Sequence, residues 1–219
     1  MSRYILHNYF RSTTSLRVRV ALNMKGLEYE YKAYALLDRA HKSETYLKLN
    51  PQGLVPALEL SGETVLTQSM AILEYLDEVH PSPPLLPTDP LARARVRALS
   101  QIIAIDIHPI NNLRVLKYLQ DEFGADQQAK TKWFCHWAAA GMAALETRLG
   151  ERETGTFCHG DTPTLADICL YAQMFNNQRF GLDISPYPRV ENIYNNCAQI
   201  KEFADAAPLQ QPDAPELKP

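Results

Sequence analysis

Along the first eighty residues the apolar positions switch between two periods. Residues 4–8 and 29–33 alternate in the manner of half-buried strands, and residues 15–25 between them repeat as a helix does. A mixed stretch follows at 43–49, and then residues 54–60 and 64–66 read as a hairpin turning across Ser61, Gly62 and Glu63. Residues 69–80 are helical, with Ile72, Leu73 and Leu76 at core spacing. Residues 81–90 hold five prolines and suit neither regular element, which makes them the expected linker. Beyond it, 91–123, 127–149, 165–175 and 190–200 carry helical pattern only, with a kink expected where His108-Pro109 interrupts the first of them. The tail from Pro208 is expected to be extended, and no internal repeat is present. Strand-helix-strand, hairpin and helix, then helices alone, predict a thioredoxin-like α/β N-terminal domain (1–80) and an all-α C-terminal domain (91–219).

Composition changes this picture little. Twenty-two basic against 25 acidic side chains leave a net charge of −3, which suggests neither nucleic acid nor an anionic membrane as partner. No apolar run approaches the roughly 18 residues of a membrane span, and no signal-peptide core opens the chain, so a cytoplasmic protein is expected. The four cysteines (Cys135, Cys158, Cys169, Cys197) lack paired metal spacing and a Cys-x-x-Cys motif; they are expected to be reduced and packed, with no metal site.

Chemistry concentrates at the start of the first helix. Ser12, Thr13, Thr14 and Ser15 are four consecutive hydroxyls where unpaired N–H groups and the positive end of a dipole await an anion. One cap needs one such side chain. Val55-Pro56 interrupts an apolar strand pattern, where proline is tolerated at an edge; an edge there leaves Val55 open to pairing with an extended peptide, and a cis bond would turn its polar groups outward. Gln68-Ser69 opens the next helix and offers a carboxylate site. Together these features suggest a short, acidic, thiol-bearing peptide. Arg17 falls among apolar positions of the first helix and reads as structural, whereas Arg19 and Asn23 fall on its polar side. Thr164-Leu165-Ala166-Asp167 has the form of a capping box, and Trp133, Phe134 and Trp137 read as core.

The stretch 9–19 (Tyr-Phe-Arg-Ser-Thr-Thr-Ser-Leu-Arg-Val-Arg) resembles the signature of zeta-class glutathione transferases. Asn50-Pro51, Val55-Pro56, residues 68–72, 112–116, Ala166-Asp167, Arg179-Phe180 and residues 211–213 extend the resemblance over nearly the whole chain. The family's Ser-Ser-Cys is here Ser12-Thr13-Thr14, and Leu16 stands where tryptophan is usual; with Arg114 and Arg179, this is most similar to bacterial glutathione-dependent maleylpyruvate isomerases, relatives of maleylacetoacetate isomerase. The resemblance implies the glutathione transferase fold, a homodimer and a small dicarboxylate substrate. It also implies glutathione as cofactor, its thiolate adding reversibly to a cis double bond, so that maleylpyruvate becomes fumarylpyruvate in gentisate-type aromatic degradation. Maleylacetoacetate isomerisation or broad transferase activity is the alternative, and a non-catalytic module on the same fold is the third. A disulfide oxidoreductase is disfavoured because the position that needs cysteine holds hydroxyls.

By the same resemblance Ser12 and then Thr14 are expected to donate to sulfur, with Thr13 contributing a backbone N–H. Lowering a thiol from about 8.5 by about two units requires roughly 2.7 kcal/mol, of which a helix N-terminus supplies about 1 and charge-assisted hydroxyl bonds the rest. Arg11, Arg114 and Arg179 are expected to bind the substrate's carboxylates, since guanidinium forks match them in paired hydrogen bonds. His41, Gln52, Val55, Gln68, Ser69, His108 and Asn112 complete the expected glutathione contacts.

Overall fold

The computed structural model describes residues 4–60 and 64–215. The chain forms two compact units, one made of residues up to Leu85 together with those from Ile200 onward, the other of Leu86–Gln199.

In the first unit β1 (Tyr4–Asn8), α1 (Thr13–Met24) and β2 (Tyr29–Ala33) make a parallel βαβ turn, followed by α2 (Glu44–Leu49), β3 (Ala57–Glu59), β4 (Val65–Thr67) and α3 (Ser69–Val79). The sheet order is β2-β1-β3-β4, with β1 parallel to β2 and antiparallel to β3. Leu6 pairs with Leu58 and Leu58 with Leu66, so one face of the sheet presents a continuous apolar row. Ile72, Leu73 and Leu76 of α3 are fully buried, as the helical spacing predicts.

Three expectations are revised here. Strand β3 begins at Ala57 and lies inside the sheet, so Val55-Pro56 sits in the loop before it and not on an edge strand. Proline supplies no N–H for the ladder, and pairing therefore starts one residue after it. The expected turn at residues 61–63 lies outside the described residues. The Val55–Pro56 and Ser82–Pro83 bonds are both cis.

The second revision concerns α1, which has no polar face: Arg17 and Arg19 are both fully buried. A helix enclosed on all sides belongs to the interior, and here the chain after Ile200 supplies the cover. Helix α9 (Lys201–Ala206) buries Phe203 and Ala206, while Asn23 Nδ2 donates to Glu202 O at 3.0 Å and Arg19 Nε to Ala206 O at 3.1 Å. The third revision is that these residues group with the first unit, whereas the sequence pattern assigned 91–219 to one domain. Pro208–Gln210 is a short 3₁₀ turn within the expected extended tail.

The second unit contains α4 (Pro90–Gln101), α5 (Leu113–Phe123), α6 (Gln127–Arg148), α7 (Leu165–Phe180) and α8 (Pro188–Ala198). Helix α4 runs into a π-helical turn at Ile102–Ile107 and a 3₁₀ turn at Pro109–Asn111 before α5 begins, so the kink expected at Pro109 is a full break between two helices. Phe134, Ala138, Met142 and Leu145 form the buried stripe of α6. Trp137 lies off that stripe and is 39% exposed, so of the aromatic trio only Phe134 is fully buried core. Thr164 and Asp167 form the expected capping box at the start of α7. None of the described helices is long and apolar enough to cross a membrane.

Candidate functional site

Ser12 takes the N-cap position of α1 in an extended conformation, and its Oγ accepts the Ser15 N–H at 3.1 Å. Its oxygen lies 2.9 Å from Thr14 Oγ1, which in turn donates to Val55 O at 3.0 Å. A threonine hydroxyl has one proton, and here it is committed to Val55. The proton shared between the two side chains is therefore that of Ser12, leaving Ser12 as the hydroxyl able to turn toward an incoming anion. Thr13 is buried beside them, and Ser15 Oγ is buried with no hydrogen-bond partner among the described residues.

The loop carrying Val55 is held rigidly. Tyr46 Oη and Asn50 Nδ2 both donate to Leu54 O at 2.7 Å, and Asn50 Oδ1 accepts the Gln52 N–H at 3.1 Å. Lys42 Nζ donates to Gln52 O at 3.1 Å. Gly53 makes room for that lysine: its φ is +56°, and a Cβ there would stand 2.7 Å from Lys42 Nζ. The Val55 N–H has no acceptor among the described residues.

Gln68 precedes α3 with φ 69° and ψ 111°, a conformation that L-residues avoid and that costs on the order of 1–3 kcal/mol. Its side chain donates to Gln52 Oε1 at 2.7 Å. The next residue, Ser69, is 5% exposed, and its Oγ accepts from Arg17 Nη1 at 3.3 Å. A buried guanidinium thus lies behind the α3 N-terminus, and both favour negative charge there. His41 sits in a 3₁₀ turn whose own residues and neighbours are cationic, Arg39 and Lys42. Its Nδ1 is buried without a partner among the described residues, and its pKa is lowered chiefly by burial and then by Lys42 and Arg39. A buried donor-acceptor atom with cations around it suits a ligand carboxylate.

In the first unit the structure therefore joins Ser12, Thr14 and Val55 by hydrogen bonds, and Gln52 with Gln68. Arg11 is half-buried, its guanidinium 6.0 Å from the ring centroids of Tyr9 and Phe10. The remaining sequence candidates belong to the second unit. Asn112 caps α5 through the Arg114 N–H at 3.1 Å, and its Nδ2 lies 3.4 Å from His108 Nε2. Arg114 is exposed in the first turn of α5, and Arg179 is exposed in the last turn of α7 with its guanidinium 4.6 Å from the Phe180 centroid.

The model of the glutathione S-transferase N-terminal domain matches residues 2–78. A maleylpyruvate isomerase of Ralstonia sp. is 47% identical over 95% of this chain and 99% of its own length. The chain belongs to the glutathione S-transferase family. Among solved structures, the holo form of a maleylpyruvate isomerase described as a bacterial zeta-class glutathione S-transferase superposes with a TM-score of 0.94 at 47% identity, covering 96% of this chain and all of that one. The maleylacetoacetate isomerase of Methylobacterium extorquens AM1, solved with malonate and glutathione, gives a TM-score of 0.94 at 40% identity over 96% of this chain and 99% of that one. Fold and zeta class agree with the resemblance read from residues 9–19.

Burial works against thiolate formation at three of the chain's own cysteines. None of the four cysteines is in a disulfide, three are buried, and the thiols of Cys135, Cys158 and Cys197 are pushed up by burial. Among the described residues no cluster of histidine, cysteine and carboxylate side chains could hold a metal ion. Sequence reasoning missed Lys42, Gly53 and Asn50 as supports of the Val55 loop. Neither the Asn50 bonds to the 52–54 backbone nor the reach of Lys42 across Gly53 has a local signature.

Proposed function

We propose that this chain is a glutathione-dependent cis-trans isomerase converting maleylpyruvate to fumarylpyruvate. The observation that carries the reading is the hydroxyl arrangement at the α1 N-terminus, where the Thr14 proton is held by Val55 O and the Ser12 proton, shared with Thr14 Oγ1, can turn toward an anion. The residues present fit glutathione: the unpartnered His41 Nδ1 and the open Val55 N–H match the carboxylate and the peptide backbone of an acidic tripeptide. Bound glutathione supplies a thiolate, which makes the double bond rotatable by reversible addition.

Each protein group then has a defined task. Ser12 donates to sulfur, and the α1 N-terminus with the Thr13 N–H favours its negative charge. Thr14 holds Val55 O and so fixes the loop that pairs with the peptide. Gln68 and Ser69 take the carboxylate at the far end of the ligand, backed by Arg17. Gln52 orients Gln68, His41 takes the other carboxylate, and His108 and Asn112 serve as further glutathione contacts carried over from the resemblance. Arg11, Arg114 and Arg179 hold the substrate's carboxylates, and a guanidinium at the ketone end stabilises developing enolate charge. The family resemblance supports a cytoplasmic homodimer.

Arg114→Ala or Arg179→Ala is expected to lower kcat/KM at least tenfold, because a lost charge-assisted hydrogen bond costs about 1.5–3 kcal/mol. Steady-state rates decide this, and changes below threefold at both positions contradict the assignment. His41 gives a pH signature. A carboxylate at Nδ1 raises the pKa that burial and the cations have lowered, so binding takes up protons and tightens as pH falls toward 6. Calorimetry with S-methylglutathione, which has no thiol to titrate, is expected to show that uptake, and His41→Ala to remove it with Kd weakened about tenfold, ~1.4 kcal/mol.

A second reading, maleylacetoacetate isomerase, is favoured by the similarity to the Methylobacterium enzyme. The two substrates differ by a small ketone extension worth about 1–3 kcal/mol in pocket terms. Initial rates on each, with and without glutathione, test both readings. Activity only with glutathione and at least tenfold in favour of maleylpyruvate supports the first reading, and the reverse preference supports the second. Absence of glutathione-dependent activity on either overturns both.

A further inference from the structure

The loop that leads into Ser12 is tied down from the far end of the sequence. Residues 9–12 lie between β1 and α1 and have no regular structure to satisfy their backbone. Arg19, fully buried in α1, answers their carbonyls: Nη1 donates to Tyr9 O at 3.3 Å and Nη2 to Phe10 O at 2.9 Å. The same side chain donates to Asn8 Oδ1 at 3.0 Å and, through Nε, to Ala206 O. The Ser12 N–H turns back to Tyr9 O at 3.0 Å. The Phe10 N–H, in turn, donates to Asp213 Oδ2 at 3.0 Å. The other carboxylate oxygen accepts from Tyr31 Oη of β2.

Asp213 is itself held in place. Gln211, nearly buried, donates from Nε2 to Asp205 O at 2.8 Å and Ala207 O at 2.9 Å, closing the turn that carries the chain back over α1. Asp213 also supplies negative charge toward Arg19, whose pKa is lowered first by burial and is supported by Asp213 and the two tyrosines Tyr29 and Tyr31. The Tyr31 hydroxyl, its pKa raised by burial and then by the bond to Asp213, remains a proton donor at any working pH.

We propose that Asp213 is a positioning residue for the proposed reaction. Acting through the Phe10 N–H, it sets the loop that aims Arg11 and the Ser12 hydroxyl. The inference rests on the reading of Ser12 as the sulfur donor. A small shift of this loop moves the donor without touching Gln68, Ser69 or His41, so the expected signature is a loss of thiol activation with glutathione affinity kept.

The full chain carrying Asp213→Ala is compared with Asp213→Asn and Tyr31→Phe. Asparagine is isosteric: its oxygen can accept the Phe10 N–H and its amide can donate to Tyr31 Oη, so it should rescue. Asp213→Ala is expected to lower kcat about tenfold, raise the pKa of bound glutathione by about one unit, and leave glutathione Kd within threefold. Amide exchange at Phe10, Arg11 and Ser12 should speed at least tenfold in the same variant with or without ligand. Asp213→Asn and Tyr31→Phe should stay within threefold of the parent in kcat. Should alanine not fold, Asp213→Ser, too short to bridge both partners, is held to the same criteria. Unchanged thiol pKa, kcat and loop exchange in the variant overturn the proposal. So does a loss in which affinity falls in step with kcat, which marks a role in folding alone. A parent protein that binds glutathione without lowering its thiol pKa overturns the Ser12 reading itself, whatever the loop exchange shows, and the two failures are thereby distinguished.

Discussion

Ser12→Ala is expected to lower kcat/KM about 100-fold while costing only about 1 kcal/mol of folding stability. The two effects have separate origins in one side chain. As N-cap, the Ser12 oxygen accepts the Ser15 N–H, and replacing such a cap by alanine destabilises a helix by about 0.5–2 kcal/mol. As donor, its proton is proposed to stabilise a thiolate, and a hydrogen bond to a charged group is worth about 1.5–3 kcal/mol, or roughly 10- to 150-fold in rate. Ser12→Asp separates them, because aspartate caps α1 as well as serine does but places negative charge beside sulfur. Its urea midpoint should match that of the parent while its turnover falls below that of Ser12→Ala. If Ser12→Asp retained activity above Ser12→Ala, the helix start and not the hydroxyl would be the source of thiol activation.

Asp167→Ala is expected to cost about 3–5 kcal/mol of folding stability, a drop of about 10 °C in melting temperature. The side chain is fully buried and accepts the Cys158 N–H at 2.8 Å, the Thr164 N–H at 2.7 Å and the Thr164 hydroxyl at 2.7 Å. Its removal leaves two buried backbone donors without partners, each worth about 1–3 kcal/mol, and opens a void under the start of α7. Thr164→Ala, which removes the cap bond to the Ala166 N–H and the hydroxyl's bond to Asp167, should cost about 2–3 kcal/mol. Because neither residue is proposed to touch ligand, kcat/KM measured well below the melting transition should be unchanged in both. A destabilisation below 1 kcal/mol for Asp167→Ala contradicts this account of the capping box.

Much of the fold was legible because its signals are local. Strands β1 and β2 show their alternation, α3 its apolar spacing, and the helix caps Ser12 and Thr164 each precede a helix whose N–H groups they accept. Helix α9 was not legible, since six residues after Ile200 carry too little pattern to separate from α8. Arg19 was misplaced on a polar face for a related reason: a helical wheel ranks faces by composition, and α1 is enclosed by a segment about 190 residues away in sequence. In the site, residues that act through their own helix terminus, Ser12, Gln68 and Ser69, were visible as such. Asn50 and Lys42 were not, because what they fix is the Gln52–Leu54 backbone, and a main-chain acceptor leaves no mark in the side-chain pattern.

The central claim is that Ser12 and the α1 N-terminus turn a bound thiol into a thiolate near neutral pH. The most direct measurement is the pH titration of the ultraviolet thiolate absorbance of glutathione bound to the intact protein, compared with Ser12→Ala. The account predicts a midpoint more than one unit below the free value of about 8.5 for the parent, and a return toward that value in the variant. A parent midpoint at the free value, with full glutathione-dependent turnover, would contradict it.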